Sequence, residues 1–288
     1  MKKMYAVTPA NFVEVLIRKG YESIYQQLSV AFREQISLEA FTAFCEEHLN
    51  EKLQFIQIST MEIQGFTEYQ WLAHEEALGL RVLFSEEHII YGFQIVPARM
   101  AYPSDKLWSK NTYAFPFKGS WLTFWGGTNE LVNYHYPLEQ QRYAYDFVVS
   151  RNGYTFDGEP DQNENYYAFG KEVYAPCKGT VVQCVSTEED VKPGVLTNED
   201  QPCGNYVILK HNHDEYSLIC HMKQHSAMVK VGDFVEKGAL LGQCGNSGHT
   251  TEPHIHFHVM NQQDPFSAQS IRIKHDVEPV RGEMVKED

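Results

Sequence analysis

The segment Pro253-His254-Ile255-His256-Phe257-His258-Val259 constrains this chain more than any other. Alternate residues of a strand share a face, so its three histidines project together while Ile255, Phe257 and Val259 point into a core. Histidines at i and i+2 stand about 6–7 Å apart along the backbone, close enough to serve one metal region. A solvent-facing strand accounts for one such residue. Three in alternation point to a face that binds metal or carries protons.

Two other places supply matching chemistry. Tyr216-Ser217-Leu218-Ile219-Cys220-His221-Met222 reads as a strand ending at His221. Taken alone, that histidine fits equally well as a strand-end residue satisfied by a backbone group. Upstream, His135 follows Asn133-Tyr134, and Asp146 interrupts the aromatic and aliphatic run Arg142–Val149. A buried carboxylate needs a metal or a counter-charge, and Arg142 is one available cation. Two histidines and a carboxylate leave one tetrahedral position for water, the open arrangement of catalytic zinc. The six cysteines, Cys45, Cys177, Cys184, Cys203, Cys220 and Cys244, contain no Cys-x-x-Cys pair, which argues against a structural thiolate site. They read as small buried side chains in a reducing compartment.

At 288 residues the chain is long enough for two modest domains. Helical spacing runs through Phe12, Val15, Leu16, Ile24, Leu28 and Phe32, and Ser37 predicts the N-cap of a second or third helix containing Phe41, Phe44 and Leu49. Alternating segments Phe55–Gln64, Thr67–His74, Leu78–Ser85 and His88–Val96 then predict an antiparallel meander. The expected order is a smaller α+β domain at 1–97, a linker at 98–114, a mainly β domain at 115–265 and a loosely packed polar tail at 266–288. Short strands are expected at Arg142–Ser150, Thr180–Val185, Tyr206–His211, Tyr216–His221 and His254–Met260, and a long exposed loop at Ser186–Gly204. A net charge of −14 argues against nucleic acid as partner. The opening MKKMYAVTPANFVEVLIRKG is basic but lacks an apolar core, and no later run reaches the length of a membrane span. On those grounds the expected location is cytoplasmic.

The ordered motifs His135…Asp146, Ile219-Cys220-His221-Met222 and Pro253-His254-Ile255-His256-Phe257 resemble those of the lysostaphin-type (LytM-like) zinc metallopeptidases. The framework between them is similar too: Val173-Tyr174-Ala175-Pro176-Cys177-Lys178-Gly179-Thr180-Val181, Gly204–Leu209, Val229–Gly238 and Gly242–Gly248. The likeness covers roughly residues 115–262. It implies a β-sandwich of the duplicated-hybrid-motif type with zinc at the floor of a groove. By position, His135, Asp146 and His256 would hold the zinc, and His221 and His254 would be the catalytic pair. The implied activity is a zinc metalloendopeptidase cutting peptide bonds, with peptidoglycan cross-links as substrate class. The sequence departs from the family in placing ten residues between His135 and Asp146, where the usual spacing is short. Asn133 is a less basic alternative to His135. His258 stands where the family often has an acid, and is expected beside the site or at the surface.

The first domain resembles, in pattern only, the cystatin-like or nuclear-transport-factor-like cone. Trp121-Leu122-Thr123-Phe124-Trp125 either lines the groove or packs in the core. A non-catalytic binding or activator module on the same fold is the competing function, and the presence of all five key residues argues against it. A biotinyl- or lipoyl-type carrier, suggested by the hairpin texture of Val229–Gly242, lacks the methionine usual beside its lysine, here Lys237.

Overall fold

The computed structural model describes residues 7–73, 75, 77–98, 101–195 and 200–288. The basic start at 1–6, His74 at the end of an expected strand, residues 99 and 100 of the expected linker and 196–199 of the expected loop lie outside them. The chain divides near residue 100 into two compact units.

Among the described residues, the first unit has four short helices, α1 (Phe12–Ile17), α2 (Tyr21–Gln27), α3 (Val30–Gln35) and α4 (Leu38–His48). Ser29 and Ser37 cap α3 and α4 by accepting hydrogen bonds from the N–H groups of Phe32 and Ala40. An antiparallel meander follows: β1 (Ile56–Ile63), β2 (Phe66–Ala73), β3 (Leu78–Phe84) and β4 (Ile90–Pro97). Phe12, Leu16, Ile24 and Phe41 of the helices pack on Trp71, Leu80, Val82 and Phe93 of the sheet. Phe12 meets the Trp71 ring at 5.6 Å and the Phe84 ring at 5.7 Å.

The second unit is mainly β. Its strands are β5 (Trp108–Thr112), β6 (Gly119–Trp125), β7 (Tyr145–Val148), β8 (Glu172–Tyr174), β9 (Gly179–Val185), β10 (Asn205–Lys210), β11 (Tyr216–Met222), β12 (Phe234–Val235), β13 (Leu240–Gln243), β14 (Ile255–Met260), β15 (Ser270–Lys274) and β16 (Met284–Glu287). Ten form one sheet with the path β12-β9-β10-β11-β14-β7-β6-β16, to which β15 adds at β14 and β5 at β15. β8 and β13 make a separate ribbon. Val173 and Leu241 of that ribbon share a buried cluster with Val181, Leu209, Ile219, Phe147, Phe257 and Val259 of the large sheet. The alternation of β14 is therefore resolved: Ile255, Phe257 and Val259 enter this core, while His256 and His258 take the other face.

Two expected boundaries are corrected. Residues 98–114 are not a plain linker, because β5 pairs in parallel with β15. Glu215 also accepts hydrogen bonds from the N–H groups of Lys110 and Asn111 and from the Tyr113 hydroxyl. Residues 266–288 are not a loose tail: β15 pairs with β14, β16 pairs with β6, and Ile273 and Val285 join the main core. WSKNT carries no alternating apolar residues, and SIRIK is a short strand whose two isoleucines pack on the core between polar neighbours. The Ser186–Gly204 loop is anchored as well, since the Asp190 carboxylate accepts from the N–H groups of Gln224 and Asn246.

Gly204 (φ +55°) and Gly248 (φ +89°) let two loops of this unit touch backbone to backbone. A Cβ on Gly204 would stand 2.3 Å from the Ser247 carbonyl. The Gly204→Ala protein is expected to lose about 2 kcal/mol or more of stability, through overpacking and a left-handed backbone. Denaturant unfolding checks this; an unchanged midpoint would show that the loops can part.

His211 gives a pH-dependent expectation. It is buried, with Nδ1–H donating to the Lys178 carbonyl and Nε2 accepting from the Ser217 hydroxyl. Burial lowers its pKa below the ordinary 6.5, outweighing the Lys178 carbonyl and the Glu215 charge. The unfolded chain binds this proton first, so the contribution is complete above pH 6.5 and is lost as pH falls below it. Stability measured from pH 7.5 to 5 should carry a component of up to about 1.4 kcal/mol per pH unit that the His211→Gln protein lacks. Equal slopes for the two proteins would remove His211 from the account.

Candidate metal centre

Strand register builds the site. β14 pairs His256 with Asp146 of β7 on one side and with Cys220 of β11 on the other. Because Tyr145 and Phe147 enter the core, Asp146 is left on the histidine face. Strict alternation would send His221 to the core face, since Ile219 is there. A bulge prevents this: Cys220 and His221 together oppose Tyr206 of β10, and His221 takes a left-handed φ of +60°. Its ring consequently faces His254 at 4.6 Å between centroids and His256 at 6.0 Å.

The ten residues between His135 and Asp146 are taken up by successive turns. Tyr136, Leu138, Gln141 and Ala144 each donate a backbone hydrogen bond to the residue three before, and the chain returns to its starting point. Tyr136 and Tyr143 pin this excursion by donating to the Asp105 carboxylate. Asn133 does the rest. Its amide N–H group donates to the carbonyls of Gly127, Arg142 and Ala144, and its Oδ1 accepts from Nδ1 of His135 at 2.9 Å. Asn133 is thus occupied as a clip and is no substitute ligand; it orients His135 so that Nε2 carries the lone pair.

His135 Nε2 lies 3.5 Å from Asp146 Oδ2, and His256 Nδ1 lies 2.9 Å from Asp146 Oδ1. The donor atoms of His135, Asp146 and His256 all fall within 4.8 Å of one another, and all three residues are buried. His135 Nε2 is buried without a hydrogen-bond partner. An orphaned imidazole nitrogen beside a second nitrogen and a carboxylate fits a zinc ion, whose tetrahedral ligand atoms stand roughly 3.3 Å apart. Arg142 is not the counter-charge of Asp146: its guanidinium donates to Tyr136 and Ser104 and covers the Tyr102 ring. Three imidazole nitrogens stand beside the carboxylate instead, His254 Nε2 at 3.7 Å being the third.

His221 and His254 are tied alike. Nδ1–H of His221 donates to the Ser247 carbonyl and Nδ1–H of His254 to the Glu252 carbonyl, each at 2.8 Å. Each ring therefore offers Nε2 to the site. Tyr134 lies over His135, with 3.9 Å between ring centroids. The sequence placed Tyr134 beside His135 and suggested no role for it. Nor did it suggest the carbonyls of Ser247 and Glu252, because backbone acceptors leave no mark on residue type. His258, expected beside the site or at the surface, is buried against His256.

Burial lowers the His135 pKa to about 3, against the opposing pull of Asp146. His221 and His258 are likewise held well below the ordinary range, first by burial and then by neighbouring imidazoles. Burial pushes Asp146 up, but His135, His254 and His256 outweigh it and hold the carboxyl well below its usual range. Burial and then the Asp146 charge raise Tyr134. An ionised carboxylate beside the neutral ring of His135 is a charge state that receives a dication.

Two cavities flank the centre and share Tyr134 and His249. One, of about 510 Å³, is lined by Leu138, Cys203, Cys220 and His256; the other, about 250 Å³, by Trp125, Asp146, Glu252 and His254. The aromatic run of β6 is divided between both expected fates: Trp121 is core, while Phe124 and Trp125 line the smaller cavity.

Residues 165–268 match the model of Peptidase family M23. The chain is 30% identical over 79 residues to a peptidoglycan DD-endopeptidase of Vibrio cholerae, 27% of this chain and 18% of that protein. It is 25% identical over 269 residues to an uncharacterized metalloprotease of Haemophilus influenzae, 86% of this chain and 53% of that one. Among solved structures, the catalytic domain of the antimicrobial peptidase lysostaphin from Staphylococcus simulans aligns at 23% identity over 58% of this chain and 90% of that one, with a TM-score of 0.30. The chain spans about half, or less, of the length of the curated relatives it matches. The matched stretch holds β8 through β14 with His221, His254 and His256; the chain carries a domain of peptidase family M23 at residues 165–268.

Proposed function

We propose that the second unit is a zinc-dependent metalloendopeptidase that hydrolyses peptide bonds of peptidoglycan cross-links. The observation that supports this most strongly is the convergence of His135, Asp146 and His256, with donor atoms within 4.8 Å, beside two histidines that both present Nε2. The peptidoglycan assignment draws on the activity named for the Vibrio cholerae relative.

In this reading His135 Nε2, an Asp146 oxygen and His256 Nδ1 would hold the ion. When bound, zinc lowers the pKa of water toward ~7 and polarises a carbonyl. The chain's own residues supply the proton transfers. His221, kept neutral by burial, takes the proton of the attacking water at Nε2. His254, whose Nδ1–H is held by the Glu252 carbonyl, donates to the oxygen on which charge develops once it has taken up a second proton at Nε2. Tyr134 closes one side of the reacting centre and excludes water from the His135 ring. The two flanking cavities give an extended peptide a path across the site. For the first unit, the order of four helices and a four-stranded meander supports a cystatin-like or nuclear-transport-factor-like module.

Elemental analysis of the purified protein should find zinc near one equivalent, and His256→Ala should remove it. His254→Ala should keep the zinc and lose about 10²–10⁴-fold in cleavage of muropeptides, followed as new amino termini. Zinc-loaded parent protein that cuts neither muropeptides nor glycine-rich peptides would refute the peptidase reading.

A further inference from the structure

His256 has a second neighbour besides Asp146. Its Nε2 lies 3.0 Å from Nδ1 of His258, both rings are buried, and they meet edge to face at 86°. The two stand on one face of β14. The backbone of that strand is paired with β11 and β7, so the acceptor nearest to hand for His256 Nε2 is a side chain two residues along.

The other three imidazoles of the site follow one rule. His135 has its outer nitrogen on Asn133 Oδ1, His221 on the Ser247 carbonyl and His254 on the Glu252 carbonyl. Each acceptor places hydrogen on the outer nitrogen and a lone pair on the inner one. His256 is turned the other way, with Nδ1 inward among the donor atoms and Nε2 outward. An imidazole that ligates through Nδ1 carries no hydrogen there, so its hydrogen is on Nε2. The atom 3.0 Å away must then accept it. A neutral His258 with its lone pair on Nδ1 keeps its own hydrogen on Nε2, the atom that is buried without a hydrogen-bond partner.

We propose that His258 is a positioning residue for the metal centre: its Nδ1 accepts the Nε2 hydrogen of His256 and fixes the tautomer and ring plane in which His256 offers Nδ1 to the ion. This rests on the zinc reading of His135, Asp146 and His256. It assigns to an imidazole the second-layer acceptor role that carboxylates and carbonyls serve for most metal-bound histidines.

The test measures zinc affinity by competition with a chromophoric chelator, with thermal melts to establish folding. His258→Ala and His258→Phe, the latter filling the space without an acceptor, are expected to weaken zinc binding about 10–100-fold. His258→Asn, whose Oδ1 falls near the place of Nδ1, is expected to recover most of that loss. Ring ¹⁵N–¹H correlation spectra of the zinc-loaded parent should show His256 as the Nε2–H tautomer. If the alanine variant does not fold, the phenylalanine and asparagine pair decides alone. Parent-like affinity in the phenylalanine variant, or an asparagine variant as weak as phenylalanine, overturns the assignment. A parent protein that binds no zinc overturns the metal reading itself, an outcome distinct from zinc binding that ignores His258.

Discussion

The site depends on one cross-strand pair, Asp146 of β7 opposite His256 of β14. Removing a carboxylate from water costs several kcal/mol unless charge or hydrogen bonds answer it. Here the answer comes from three imidazoles delivered by two separate parts of the chain, at 2.9 to 3.7 Å from the carboxylate oxygens. A shift of one residue between β7 and β14 would send Asp146 into a core of Phe147, Phe257 and Ile219 and expose that core's aromatics. Hydrophobic burial and assembly of the His135–Asp146–His256 cluster therefore select the same register. The polar face is as strongly specified as the apolar one beneath it.

Much of this was legible in the residues. Alternation in Ile255–Val259 reports its own geometry, because a period of two has one structural meaning when three histidines mark one phase and three apolar residues the other. Asp146 within Tyr145–Val148 was legible for the same reason, as a charge in an apolar phase. The helices and meander of the first unit followed from periodicity and from Ser37, whose cap is made as expected. What stayed hidden has a common cause. β5, β15 and β16 are held by pairing and by anchors such as Glu215, and side-chain alternation carries little record of backbone pairing. The turns that bring His135 back to Asp146 are a matter of dihedral angles, and the clip that closes them, Asn133, looks in the sequence like any loop asparagine.

His221 shows the limit most clearly. Its place in the strand was readable, but its direction was not. Alternation alone turns it toward the core, and the bulge opposite Tyr206 turns it back. A left-handed conformation at a non-glycine residue costs about 1–2 kcal/mol. The surroundings hold it there: the His221 N–H donates to the Cys203 carbonyl, and its ring donates to Ser247. The glycines at 204 and 248 allow the loops that carry those two carbonyls to approach so closely. Two glycines that carry no functional group thus help to determine where the His221 ring points.

The same reasoning connects the four inner imidazoles. A neutral histidine has one hydrogen and two nitrogens, so tying one nitrogen to an acceptor decides what the other can do. His135, His221 and His254 are tied at Nδ1 by an amide oxygen and two carbonyls. Each tie is supplied by backbone or by a side chain whose remaining groups are already committed, so the acceptors cannot easily turn away. Burial adds the second requirement, since it keeps His135 and His221 uncharged and their inner lone pairs available. Tautomer and protonation state are thereby set by packing before any ligand arrives. Such preorganisation explains why a centre of imidazoles around one carboxylate needs so much of the surrounding fold, from the Asn133 clip to the Gly204 contact, to keep its geometry.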